Sequence, residues 1–530
     1  MTVLDVKSNS TNTLNQEGLT FNKYNILLKH IMGLFSKQKI NKKITTRDFY
    51  FGFPEAEGEN VKGQSLTDYF EDYLDIIREI DKGRFLFIGR KGVGKSAIAK
   101  YIKDISERSE DTYAALLRIS DFDKENIIQK SNNESNNALI FEWLILINIV
   151  KLIVKSQAGK YTNEFQKLEK FLERNTGSVE IDKFETSEIF IKSGGEISFE
   201  VLTHAFNGIL KKYFDSKTKK APFYKLITPL KEIVKKILSF EVIQELEFCL
   251  LFDDLDINYS IDDKACNDNI IELLRIAKNY NNEVFNVGNA KILVFIRKDI
   301  NDVIISKYSD SAKLINSYGI DINWYSNDSF ENHIPLKKMA NKRIELNFKR
   351  LDIQYNTNEV WSSLIPTTWN EYKKSSFKYV LDFTFYRPRD IITFLDTISK
   401  EDYNYPIDYS TLKKILKKYI QLTTSEIKSE LSLYFLEEEK ELLFSQIFPF
   451  IASNNDIKLV DVINLISSLG FNIESEKVVN ILFAYNLLIY KHENGNLIIN
   501  YREDDLGSYN KEKLYICLHK CLYHYYKPIV

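Results

Sequence analysis

Cysteine is scarce in this sequence: Cys249, Cys266, Cys517 and Cys521 are four among 530 residues, at irregular spacing. That excludes a disulfide framework and leads us to expect a reducing, cytoplasmic setting. A charge imbalance is missing too, with 72 basic against 74 acidic side chains, so no global field steers the chain toward nucleic acid or a membrane. The opening MTVLDVKSNSTNTLNQ lacks the basic region and apolar core of a signal peptide. The strongest apolar run, Ala138 to Val154, is short for a membrane span and is interrupted by Glu142, Asn148 and Lys151. It reads as a buried helix, and no membrane partner is expected. What is present is an ordinary globular balance, 44% hydrophobic and 28% charged. The length corresponds to about three domains.

Chemistry is concentrated at Arg84 to Lys100, RFLFIGRKGVGKSAIAK. An apolar strand-like run meets GxxxxGKS at Gly89, Gly94, Lys95 and Ser96, and a helix-favouring segment follows, which is the setting of a phosphate-binding P-loop. Gly89, Gly92 and Gly94 allow the backbone to curl its N–H groups inward, at the positive end of the following helix. Lys95 would reach the β- and γ-phosphates, and the Ser96 hydroxyl would ligate Mg2+. Gly89, Arg90, Lys91, Gly92, Val93, Gly94, Lys95, Ser96 and Ala97 are therefore the expected ATP-binding residues.

Further along, Ala114 to Ile119 reads as a second strand, and the Gly194–Gly195 pair as the turn of a hairpin among lysine-rich helices between about 156 and 245. Phe248 to Phe252 is a buried-strand run ending in Asp253 and Asp254. Alone, such a pair is a strand end entering a turn. Downstream of a P-loop, Asp253 is expected to hold magnesium, and Asp254 to orient or deprotonate the attacking water. Lys291 to Ile296 is a further strand ending in Arg297. That arginine either senses the γ-phosphate from between the two motifs or simply pairs with Asp299. The fold class expected is α/β, a doubly wound parallel sheet of P-loop type with its ligand at the carboxyl ends of the strands.

Four parts are expected: an arm and amphipathic helix at 1–45, a P-loop core at 46–330 with a helical insertion at about 156–245, a helical lid at 331–428, and a winged-helix unit at 429–530. FGFPEAEGEN at 51–60 reads as a turn-rich, solvated acidic loop, followed by a helix from Leu66 to Ile80. In the lid, Arg387-Pro-Arg389-Asp390 opens a helix; its arginines either deliver a guanidinium to the phosphates or serve as caps and ion-pair partners. In the tail, three helical segments precede two strand-like runs joined at Asn494-Gly495, a hairpin signal. The would-be recognition helix from Glu474 lacks the cations that DNA contact needs, so protein contact or autoinhibition is as good a reading. Cys517, Cys521 and His524 read as a helical core stripe rather than a zinc site. The basic runs at Lys217 to Lys220 and Lys413 to Lys418 leave nucleic acid open as a partner.

The ordered set FGFPEAEGEN, GRKGVGKS, Trp143, LLFDDLD, VFIRKDI, DINW, RPRDII and NLLIYK…YREDD…LH spans most of the chain. It resembles a bacterial P-loop ATPase family of the AAA+/STAND-like type, whose members act as regulated switches or assembly engines, often in defence against phage. The resemblance implies magnesium-dependent ATP hydrolysis, Lys95 and Ser96 as phosphate and magnesium residues, Asp253 as magnesium carboxylate, Arg297 as a sensor and Arg389 as a second sensor in the lid. It also implies a protein effector or self-assembly. Asp254 stands where a catalytic glutamate is common, which implies slow turnover, and the tail has His519-Lys520 in place of a His-Pro-Gly run. The alternative function is an ATP-dependent, initiator-like loader that grips DNA through the winged helix.

Overall fold

The computed structural model describes residues 43–55, 65–118, 137–176, 196–215, 218–255, 264–367, 374–454, 457–502 and 513–529. The expected helix near Tyr24, Gly194 and Gly195, and the acidic stretch 56–60 lie outside them. Strands in chain order are β1 Leu86–Gly89, β2 Thr112–Arg118, β3 Glu196–Ser198, β4 Lys220–Pro222, β5 Glu247–Asp253, β6 Ala290–Arg297, β7 Gly319–Asp321, β8 Ile457–Lys458, β9 Leu488–His492, β10 Leu497–Ile498 and β11 Leu514–Leu518.

A five-stranded sheet in the order β2-β5-β6-β1-β7 forms the centre, and its pairings are parallel. Strands covered on both faces need near-continuous apolar side chains, and LFIG, FCLLF and AKILVFI supply them. Leu86, Phe87, Leu250, Leu251, Phe252 and Ile292 to Ile296 are almost wholly inaccessible. The fifth strand, β7, is three residues long at the sheet edge and too short to register as a hydrophobic run. Because register is fixed by parallel pairing, Gly89 lies opposite Arg297 and Arg118 opposite Asp253. The carboxyl ends of β2, β5, β6 and β1 thus bring an arginine, an aspartate, a second arginine and the glycine loop to one rim.

The apolar run forms the helix Asn137–Ser156, with Trp143 and its neighbours from Leu144 to Val154 buried. It packs on β5 and on the helices Phe223–Leu238 and Lys264–Asn279. Among the described residues, no helix is long and apolar enough to cross a membrane. Trp143 meets Phe223 edge to face at 5.9 Å between ring centroids. Trp143→Ala should cost about 3–5 kcal/mol, read as a lower midpoint in urea unfolding with unchanged slope. The inserted segment also carries a two-stranded antiparallel ribbon, β3 with β4, so Glu196–Ser198 pairs with a distant strand.

Two local expectations are corrected. The helix expected from Leu66 to Ile80 is two short helices, Leu66–Tyr69 and Ile76–Asp81: the chain turns extended at Phe70, and the second helix starts only after Asp75, which has a left-handed φ of 53°. The described part of the acidic segment is not solvated at its start. Phe51 is 2% exposed and its carbonyl accepts from Arg343 Nη1 at 2.6 Å, so the segment is docked on the helix Pro335–Arg350.

The carboxyl-terminal third has the helices Leu459–Ser468 and Ser475–Ala484 and a four-stranded sheet ordered β10-β9-β11-β8. The Asn494-Gly495 turn is present, Gly495 at φ 88°, and β10 pairs antiparallel with β9. The helical stripe expected at Cys517, Cys521 and His524 is overturned: Cys517 lies in β11, and Cys521 and His524 lie in the separate helix Lys520–Tyr526. His519 caps that helix, its buried Nδ1 accepting from the Cys521 N–H, and burial depresses its pKa to about 4. All four cysteines are free thiols.

Candidate functional site

The loop between β1 and the helix Lys95–Arg108 takes its shape from its glycines. Gly92 and Gly94 sit at φ 81° and 97°, where a side chain would be strained. A Cβ on Gly89 would come within 2.6 Å of Val93 Cγ2. Gly94 caps the helix without a side chain, leaving the first-turn N–H groups facing the loop interior. Lys95 folds back over the loop, its Nζ donating to the Gly89 carbonyl at 3.0 Å and the Arg90 carbonyl at 3.2 Å. An ammonium held against two carbonyls at a helix N-terminus makes a concentrated anion-attracting point.

A cleft opens on this loop, bordered by Lys91 to Ile98, Asp253, Asp254, Arg297 and Arg389. Nearly every residue singled out in the sequence therefore meets at one place. Arg90 is one exception: its side chain donates to the Phe385 carbonyl at 3.0 Å and lies 6.0 Å from the Tyr501 ring centroid. Burial, with Arg387 nearby, lowers its pKa to about 10. Gly89 also lies behind the cleft, in β1.

Asp253 is 2% exposed. Burial raises its pKa above the usual carboxylate value, opposed by a hydrogen bond from Ser96 and by the charges of Lys95 and Arg118. Its Oδ2 is buried without a hydrogen-bond partner among the described residues. A buried orphan oxygen beside a hydroxyl is a hard-oxygen donor pair suited to Mg2+, which takes few protein ligands when phosphates supply others. The sign of the linkage follows. A carboxylate with a raised folded-state pKa favours the fold below its ordinary pKa of 3.8, and loses that contribution as pH rises through the raised value. At neutral pH in EDTA, Asp253→Asn should therefore melt above the wild type by calorimetry; an equal or lower melting temperature would contradict this.

Asp254 has a left-handed φ of 54°, and its carboxylate lies 3.3 Å from Arg118 Nε. Arg118, the last residue of β2, lies inside the expected strand Ala114 to Ile119 and was not singled out in the sequence. Its charge at a strand terminus was the available signal. Arg297 realises its bland reading without leaving the cleft: Nε donates to Asp299 Oδ1 at 3.0 Å, Nη2 makes a short bond to Oδ2, and the residue still borders the loop.

The segment expected as a lid also reaches this loop. Arg387 and Pro388 start the helix Pro388–Ser399, and Arg389 N–H donates to the Gly92 carbonyl at 3.3 Å. The Arg387 guanidinium is buried, doubly bonded to Asp390, near Glu430, and donates to the Lys91 carbonyl at 3.3 Å. Arg389 pairs with Glu426 at 2.9 Å at the cleft edge. Thus Arg387 braces the loop and Arg389 faces the cavity. A Cβ on Gly92 would meet Arg389 Cβ at 3.3 Å, so only glycine lets these elements approach so closely.

Several lining residues were not foreseen. Phe53, Pro54, Tyr69, Phe70, Tyr73, Met339 and Arg343 also border the cleft. Arg343 lies 4.2 Å from the Tyr69 ring centroid. Trp324, from DINW, donates Nε1–H to the Val93 carbonyl at 2.8 Å and so holds the loop from below. The aromatic cluster YFEDY was the signal for Tyr69, Phe70 and Tyr73.

Comparison with known proteins gives two matches. The family described as the FunZ-associated C-terminal helical domain matches residues 335–428, the segment that carries Arg343, Arg387 and Arg389. Over 467 residues the chain is 23% identical to an Escherichia coli (strain K12) protein named "Putative transposon gamma-delta 80.3 kDa protein", covering 81% of this chain and 60% of that protein. The chain thus spans less than two thirds of that relative's length. It is an α/β chain with a five-stranded parallel sheet, distantly similar to a protein named as a putative transposon protein and, over residues 335–428, similar to the FunZ-associated C-terminal helical domain.

Proposed function

We propose that the cleft binds Mg-ATP and hydrolyses it slowly, and that the chain is a P-loop ATPase of AAA+/STAND-like type working as a regulatory switch or assembly engine. The convergence of Lys95, Ser96, Asp253, Asp254, Arg297 and Arg389 on one cavity at the carboxyl rim of a parallel sheet carries this reading. The strand order adds support: β6 lies between the loop strand and the Asp253 strand, which separates the two motifs by one strand and leaves room for Arg297 between them.

The loop N–H groups and Lys95 would hold the β- and γ-phosphates. Ser96 and Asp253 would hold magnesium, which when bound neutralises phosphate charge. Asp254 would orient the attacking water. Tyr69, Phe70 and Tyr73 give the base an apolar surface to lie against. Slow turnover is expected because Asp254 is one methylene shorter than glutamate and is held by Arg118.

A role in bacterial anti-phage defence, through a protein effector or self-assembly, rests on the sequence resemblance. The transposon name of the E. coli relative is compatible with a chain carried on mobile DNA. The DNA-loader alternative gains no such support, since the helix SEKVVNILFA at Ser475–Ala484 has Lys477 as its one cation. Affinity for duplex DNA that is absent at low salt would remove that alternative; affinity that falls steeply with added salt would restore it. A magnesium-dependent phosphate-release assay tests the main reading: slow release from ATP that Asp254→Asn abolishes supports it, and release that the variant leaves unchanged overturns the assignment of Asp254.

A further inference from the structure

Arg297 borders two cavities. One is the cleft over the glycine loop; the other lies between the loop, the lid and the carboxyl-terminal unit, lined by Arg90, Asp299, Arg387, Tyr434 and Tyr485. Tyr485 directly follows the helix Ser475–Ala484, and its hydroxyl oxygen accepts from Arg297 Nη2 at 3.1 Å while its O–H donates to Asp299 Oδ2 at 3.3 Å. Tyr434 O–H donates to the same Asp299 oxygen at 3.0 Å. Arg297 is 6% exposed.

These contacts hold the arginine by residues far along the chain, at the end of a helix with no DNA-binding character. We propose that Arg297 works between two positions, and that Asp299, Tyr485 and Tyr434 form a latch that ties it to the carboxyl-terminal unit until a γ-phosphate draws it into the cleft. This rests on the nucleotide reading of that cleft. A guanidinium has five N–H donors in one plane, and the latch already engages Nε and Nη2, so Asp299 and a phosphate compete for the same fork. When Arg297 leaves, Asp299 keeps the Ile300 N–H at 3.0 Å and both tyrosine hydroxyls as donors, and the lost ion pair is the cost that the phosphate charge has to offset. Tyr485, by contrast, loses the bond it accepts. Triphosphate binding and the seating of the Ser475–Ala484 helix end are therefore coupled, and the coupling is reciprocal.

Tyr485→Phe and Asp299→Asn test it by equilibrium binding of a non-hydrolysable ATP analogue and of ADP to the full chain. Loosening the latch should raise the preference for triphosphate over diphosphate by roughly three- to tenfold, the span of one modest hydrogen bond. As a control, Tyr434→Phe, which removes a donor to Asp299 and leaves the Arg297–Tyr485 bond in place, should not raise the preference. In the wild type, the triphosphate analogue should speed amide exchange at 475–486 relative to ADP. A triphosphate preference unchanged in both Tyr485→Phe and Asp299→Asn, with exchange unaffected, overturns the latch. Lys95→Ala separates the two levels: if it loses nucleotide while the latch variants change nothing, the latch alone fails, and if it binds ATP like the wild type, the nucleotide reading and the latch fall together.

Discussion

Lys95→Ala should weaken ATP binding at least a hundredfold, about 2.7 kcal/mol or more, without lowering the melting temperature in the absence of nucleotide. Lys95 Nζ spans the loop by bonding to the Gly89 and Arg90 carbonyls, so its charge sits where the loop would receive a phosphate. Removing it leaves the helix N-terminus and the loop N–H groups, which are partial charges against a multiply charged phosphate chain. The fold should tolerate the change because alanine is the best helix former and position 95 opens the helix Lys95–Arg108. Titration calorimetry with a thermal melt on the same sample checks both halves. An alanine variant that binds ATP as the wild type does would show that this loop is not the phosphate site.

Asp254→Asn should leave ATP affinity within a few-fold of the wild type and lower phosphate release by about a hundredfold or more, the usual scale for a positioned general base. The carboxylate lies at the rim beside Asp253 and against Arg118. Asparagine keeps the shape but cannot take a proton. Asp253→Asn should behave differently, weakening the magnesium dependence of binding itself, because its orphan Oδ2 is the oxygen we assign to the metal. Single-turnover phosphate release, with binding measured separately, distinguishes the two. Equal effects of both variants on binding would mean that the two aspartates do not divide these roles.

The central strands were legible because β1, β5 and β6 are buried on both faces and so read as unbroken apolar runs. The residues at their tips were legible because Asp253, Asp254 and Arg297 end those runs abruptly. β7 was not, since three residues at an edge carry no pattern. The Leu66–Ile80 helix was overcalled because hydrophobic spacing registers neither the extended backbone at Phe70 nor the left-handed Asp75. Contacts between distant segments were hidden altogether. Nothing local tells that Arg387 braces the Lys91 carbonyl, that Trp324 bonds the Val93 carbonyl, or that Tyr485 shares Asp299 with Arg297. Cys517 shows the opposite failure: its spacing to Cys521 and His524 fits a helix, yet pairing with β9 and β8 makes its segment a strand.

The most direct test is equilibrium binding of ATP to the 530-residue chain with magnesium and with EDTA. Saturable binding of one nucleotide per chain that tightens with magnesium is the expected result; no binding at millimolar ATP under either condition would contradict the nucleotide assignment.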